Sequence, residues 1–146
     1  LAVRDGLHAT FLDCARGRNM LAVQMEVGAR LPLATSASGL ALLKASPEAE
    51  RRRTVSRLRA NMTQQGIDHA PFKARLHSAM ESHLVVLRDA WHKGIGRLAA
   101  AVRFGETLGA ITIAVSTAVV SETAMREDLG RYLLETIRDF QLELAP

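Results

Sequence analysis

Apolar and polar positions alternate at the start of the chain in the way a half-buried strand requires. Residues 1–4 and 7–14 flank Asp5-Gly6, a dipeptide that favours tight hairpin turns. In the second segment Leu7, Ala9 and Phe11 alternate with His8, Thr10 and Leu12. Residues 16–19 read as a turn, and residues 20–27 as a third strand. The alternation then stops. Gly28 marks a turn, Leu31-Pro32-Leu33 is short and extended, and Ala34, Thr35, Ser36, Ala37, Ser38 and Gly39 are all small or hydroxylated. An apolar run over 40–43 follows, closed by Ser46-Pro47. This pattern predicts a loop entering a helix, with Thr35 or Ser36 capping its first free N–H groups and Pro47 ending it.

Ser46, as a cap, and Pro47, at the first helical position, predict a second helix with acids in its first turn. Val55, Leu58 and Met62 form its narrow apolar stripe, and Gln65-Gly66 ends it. A third helix is predicted from His69-Ala70-Pro71, with Phe72, Leu76, Ala79 and Met80 facing inward. Residues 84–87 read as a strand and 88–94 as a polar loop carrying Trp91. Residues 95–102 and 108–116 read as strands joined through Phe104-Gly105-Glu106. A last, long amphipathic helix is expected from near Ser121 or Thr123. Its stripe is Met125, Leu129, Leu133, Ile137, Phe140 and Leu144, flanked by Tyr132 and Leu142. Strands, then helices, then strands and a helix make the fold class α+β rather than an alternating βαβ array.

The remaining sequence features narrow the function classes. A length of 146 residues, 48% hydrophobic and 23% charged, predicts one globular domain with a real core. Nineteen Lys and Arg against fifteen Asp and Glu leave +4, a mild excess that does not by itself argue for nucleic acid. The second helix is strongly basic (Arg51, Arg52, Arg53, Arg57, Arg59), but no aromatic residues interleave to stack bases, so a solvated outer face is expected. A single cysteine, Cys14, excludes an internal disulfide and suits a reducing cytoplasm. The longest apolar run, 108–120, holds Thr112, Ser116 and Thr117 and is too short to span a bilayer. The five histidines lack the close pairing of a metal site, Cys14 has no base partner in sequence, and neither a nucleophile elbow nor a phosphate loop is present, so no enzyme activity is expected.

Two features could hold a ligand. A helix start built from small side chains lets an anion approach the backbone N–H groups and the positive end of the helix dipole, although an ordinary capped helix uses the same residues. In the last two strands, alternation puts Ala110, Thr112, Ala114 and Ser116 on one face, with Ala99 and Ala101 on one face of the neighbouring strand. Such a small-residue face leaves space that either a covering helix or a ligand must fill.

Three motifs carry a resemblance. The first is Gly28, Leu31-Pro32-Leu33, the small-residue turn, Gly39 and Ala41-Leu42-Leu43. The second is Gly94-Ile95-Gly96-Arg97-Leu98-Ala99-Ala100-Ala101-Val102, and the third is Ala110-Ile111-Thr112-Ile113-Ala114. In order and spacing they resemble the effector-binding domain of IclR-type bacterial transcription regulators over nearly the whole chain. The resemblance implies a GAF-like fold: an antiparallel sheet of about six strands with helices packed on both sides and a ligand pocket above one face. It implies that residues 1–146 sense a small organic effector, a carboxylate or aromatic acid, without cofactor or metal, in a cytoplasmic homodimer or homotetramer. A winged helix-turn-helix DNA-binding domain would precede Leu1, which is not a methionine and opens on a strand. DNA contact would run only through that domain, and no membrane contact is implied.

Carried over by position, the ligand-binding amides belong to Ala37 and Ser38, within the turn that includes Thr35 and Ser36. The strand positions are Ala101, Thr112 and Ala114, the acidic loop position falls near Asp89, and Trp91 serves either as part of a lid or as a loop anchor. Ala101 and Ala114 stand where some members carry Cys and Ser, and Leu40 replaces a frequent lysine. These departures remove hydrogen-bonding capacity and point away from a very small oxoacid toward a bulkier, more apolar effector. The alternative is a structural dimerisation module of the same fold, with its pocket closed by side chains and no ligand.

Overall fold

The computed structural model describes residues 1–15, 25–90 and 92–143. It contains β1 (Ala2–Asp5), β2 (His8–Phe11), β3 (Arg30–Pro32), α1 (Ala37–Ala45), α2 (Glu48–Gln64), α3 (Ala70–Glu81), β4 (Val85–Arg88), β5 (Ile95–Phe104), β6 (Thr107–Ser116) and a short α4 (Glu122–Ala124). A π-helical turn (Met125–Leu129) then leads into α5 (Gly130–Glu143). The strands form one antiparallel six-stranded sheet in the order β3-β2-β1-β6-β5-β4. The α+β architecture expected from the alternation is the one the structure has.

The register sorts the sheet residues into two faces, because directly opposed residues project to the same side. Ala2, Ala9, Phe11, Leu31, Val85, Ala99 and Ala110 lie on one side and pack against α1, Leu58 and Met62 of α2, and Phe72 and Ala79 of α3. Leu98, Ala100, Val102 and Val115 lie on the other and pack against Met125, Leu133 and Ile137. Helices therefore cover both sides. Every residue of α1 from Ala37 to Leu43 is buried, so α1 is the central helix of the first core.

Several local expectations shift by a few residues. Of the strand expected over 20–27, residues 20–24 lie outside the described residues and 25–27 are not strand. The third strand is β3 instead, and it sits at the sheet edge, where the missing N–H of Pro32 breaks no ladder. Gly28, at φ +86°, turns the chain so that its N–H reaches the carbonyl of Phe11 at 2.7 Å. Ser46 does not cap α2. Its hydroxyl donates back to the carbonyl of Leu42 at 2.7 Å and closes α1, leaving Pro47 as the N-cap of α2. In α2 the buried stripe is Thr54, Leu58 and Met62, with Val55 at its margin. Thr54 is inside because its hydroxyl accepts from Arg4 at 3.1 Å, and the Arg4 guanidinium also pairs with Glu50.

Candidate functional site

The turn before α1 is built around Ser36. Its hydroxyl accepts from the Gly39 N–H at 3.1 Å and donates to the Pro32 carbonyl at 2.8 Å. Of the two candidate caps, Ser36 is the one used; Thr35 is half-buried and hydrogen-bonds to Pro32 through its backbone N–H at 3.3 Å. Gly39 belongs to the turn as much as to the helix, since a Cβ on it would come within 2.5 Å of the Leu33 carbonyl oxygen. The tight fit brings the start of α1 down onto the loop and buries Ala37 completely and Ser38 to 1% exposure. Both lie in the first helical turn, where backbone N–H groups have no intrahelical acceptor.

Helix α1 lies over β4, β5 and β6. Ala101 stands opposite Ala110, Thr112 opposite Ala99, and Ala114 opposite Arg97, all on the face that α1 covers. The structure thus places the three expected strand positions on one side of two neighbouring strands, beneath the helix whose first turn holds Ala37 and Ser38. Two hydroxyls in this layer are buried with no hydrogen-bond partner among the described residues: Ser38 Oγ and Thr112 Oγ1. A buried hydroxyl without a partner costs about 1–3 kcal/mol, so such groups are rare and call for a reason.

Asp89 is placed differently. It lies exposed in the β4–β5 turn in the left-handed region, at φ 52°, and its carboxylate accepts from the Gly94 N–H at 2.5 Å. Its backbone N–H reaches the Ile95 carbonyl at 3.0 Å. Its carboxylate thus closes the turn. Trp91 lies outside the described residues.

Sequence reasoning did not single out Arg97 on this layer. Directly opposite Ala114 on one side and Leu87 on the other, it belongs to the α1 face and is only 8% exposed. Burial pushes its guanidinium pKa below the ordinary arginine range. The signal was present in the alternation: counting back by two from Ala101 and Ala99 reaches Arg97. A groove of about 300 Å³ also opens beyond the outer edge of β4, between α3 and the π-helical turn, flanked by Arg75, Ser78 and Arg126. It contains none of the expected ligand-binding residues. Among the described residues no group of three His, Cys, Asp or Glu side chains is placed to hold a metal ion, and no helix is long and apolar enough to cross a membrane.

Comparison with known proteins adds an independent finding. Residues 1–142 match the family model of the bacterial transcriptional regulator IclR C-terminal domain. The HTH-type transcriptional regulator TsaQ1/TsaQ2 of Comamonas testosteroni is 25% identical over 156 residues, covering 99% of this chain and 54% of that protein. This chain therefore spans about half the length of that curated relative. Among solved structures, an IclR family transcriptional regulator from Brucella abortus superposes with a TM-score of 0.84 at 22% identity, covering 99% of this chain and 55% of that one. Pseudomonas aeruginosa HmgR gives 0.77 at 23% identity, over 98% of this chain and 57% of that one. A double mutant of the PobR inducer-binding domain from Acinetobacter, complexed with 3-hydroxybenzoic acid, gives 0.68 at 16% identity, over 95% and 84%. At these identities the superpositions establish a shared fold.

Proposed function

This chain belongs to the IclR family of bacterial transcriptional regulators, whose C-terminal domain it matches, and on that premise we propose that it is the effector-binding domain of such a regulator. Its effector would be a small organic acid held between the first turn of α1 and the small-residue face of β5 and β6. Ala37 and Ser38 would present backbone amides, and Thr112 its hydroxyl. Ala101 and Ala114 would leave room for the body of the effector. Ligand occupancy would shift the arrangement of subunits in a cytoplasmic homodimer or homotetramer, and with it the placement of winged helix-turn-helix domains that contact DNA. Such a shift requires the effector to bind one arrangement more tightly than the other.

The observation that carries this reading is the pair of buried hydroxyls with no partner among the described residues, Ser38 Oγ and Thr112 Oγ1, in a layer lined by alanines. A bound acid would satisfy both. The neighbour complexed with 3-hydroxybenzoic acid supports the choice of ligand class. A thermal-shift screen of the domain against aliphatic, aromatic and sugar acids tests it. A ligand at a hundred times its dissociation constant adds about 2.7 kcal/mol, which raises the melting temperature of a domain this size by about 5–10 °C. Ala114→Phe should abolish the shift while the domain stays folded. If a broad panel raised no melting temperature, the closed structural module would be the better account.

A further inference from the structure

We propose that the exposed face of α2 is an interaction surface that lies along the phosphate backbone of duplex DNA. This goes beyond the effector reading and involves no effector. It rests on the arginines of one helix and on the family to which the chain belongs.

Helix α2 (EAERRRTVSRLRANMTQ) carries five arginines against two glutamates. Two of the arginines serve the fold. Arg51 donates to the carbonyls of Lys44 and Ser46, tying the end of α1 to the start of α2. Arg52 pairs with Glu48, one turn earlier, at 2.7 Å. The other glutamate, Glu50, is taken up by Arg4 of the sheet. Arg53, Arg57 and Arg59 are left. Arg53 reaches only the Ala49 carbonyl of its own helix. Among the described residues, Arg57 and Arg59 have neither a hydrogen bond nor an ion pair. Residues 16–24, 91 and 144–146 contain no Asp or Glu that could pair with them.

At 3.6 residues per turn, Arg52, Arg53, Arg57 and Arg59 fall on the side opposite the buried stripe of Thr54, Leu58 and Met62, and all four are exposed. Arg53 and Arg57 are one turn apart, so their like charges repel along the helix. The helix dipole does not offset this, because it favours cations in the last turn, where α2 has none. Ion pairing and the dipole thus leave three arginines unaccounted for, and a polyanion laid along the face would compensate all of them.

The chemistry of the face selects among polyanions. A lipid surface needs large apolar side chains beside the cations, and the exposed side of α2 offers only Ala49 and Ala60. A single strand needs aromatic platforms for its bases, and α2 has none. A duplex keeps its bases stacked inside and presents closely spaced phosphates, which cations bind without either feature. A guanidinium meets a phosphate with two parallel hydrogen bonds and does not lose its charge. Members of a family of transcriptional regulators act beside DNA, so this partner is at hand.

The test is fluorescence anisotropy of a short labelled duplex of arbitrary sequence with this chain, at about 20 mM salt and then at rising salt. The logarithm of the affinity should fall linearly with that of the salt concentration, with a slope of about −3 for three to four neutralised phosphates. Arg53→Gln, Arg57→Gln and Arg59→Gln combined should weaken binding about a hundredfold or more at low salt and flatten the slope toward about −1. Lys93→Gln, Arg103→Gln and Arg131→Gln combined remove the same charge from exposed positions outside α2, and should leave the affinity within about threefold of the wild type. Glutamine is close to arginine in helix propensity, so circular dichroism of both variants should match the wild type. Equal losses in the two combined variants would overturn the proposal, since net charge rather than α2 would then be the cause. Two further outcomes would overturn it with the wild type alone: no duplex binding at low salt, or tighter binding of the single strand or of phosphatidylserine vesicles than of the duplex.

Discussion

Gly39 is where a single atom matters most. A methyl group there would strike the backbone of Leu33, which cannot move without dragging the end of β3 with it. Gly39→Ala should therefore cost about 3 kcal/mol despite the better helix propensity of alanine, read as a lower urea midpoint with an unchanged slope. Thr112 predicts the opposite sign. Its hydroxyl is buried with no partner among the described residues, so Thr112→Val keeps the shape and removes the desolvation penalty. The ligand-free variant should melt at the wild-type temperature or somewhat above it, and its affinity for the effector should fall. A loss of stability on this change would mean that the hydroxyl serves the fold. Gly39 and Thr112 were both legible in the sequence because their motifs state them outright. Arg97 was legible only through the alternation with Ala99 and Ala101, because an arginine in a strand ordinarily reads as solvent-facing, and the pairing with Leu87 and Ala114 puts it on the α1 face.

The last helix shows why a periodic stripe locates an element better than it phases one. A uniform 3.6-residue period puts Met125, Leu129, Leu133, Ile137 and Phe140 on one side. In the structure Met125, Gly130, Leu133 and Ile137 are buried, Leu129 is half-buried and Phe140 is 40% exposed. The cause is the π-helical turn, in which the Gly130 N–H bonds to the carbonyl of Met125 five residues back, bringing a glycine rather than a leucine against the sheet layer. The fit there is of another kind from that at Gly39. A Cβ on Gly130 would meet the terminal Cδ2 of Leu84 at 2.6 Å, a flexible group that can swing aside. Gly130→Ala should thus change stability by under about 1 kcal/mol, because the helix-propensity gain offsets the crowding. Comparing the urea midpoints of Gly130→Ala and Gly39→Ala checks both assignments at once. The strands were legible for the same reason that the phase of the helix was not: a period of two survives small errors of boundary, whereas one extra residue per turn rotates every later helical position.

At the scale of the whole molecule, the proposed effector site sits within the layering of the fold. The proposed ligand position lies between α1 and the sheet, inside the first core, so filling it changes how the central helix seats on β5 and β6. Helix α5 packs against the opposite face of β5 and shares no core with α1. Strand β5 thus lies between two separately packed layers. If effector binding at this position alters operator affinity by some factor in the full-length protein, linkage requires operator DNA to alter effector affinity by the same factor. Titrating effector into the intact regulator, with and without saturating operator, should yield that common factor, typically between 5 and 150 for a coupling of about 1–3 kcal/mol. Ala114→Phe fills the space the effector would take. It should remove the response and, if the phenyl ring mimics the occupied layer, shift operator affinity toward the effector-bound value without any ligand. An Ala114→Phe regulator that still responded fully to effector would place the ligand elsewhere in the molecule.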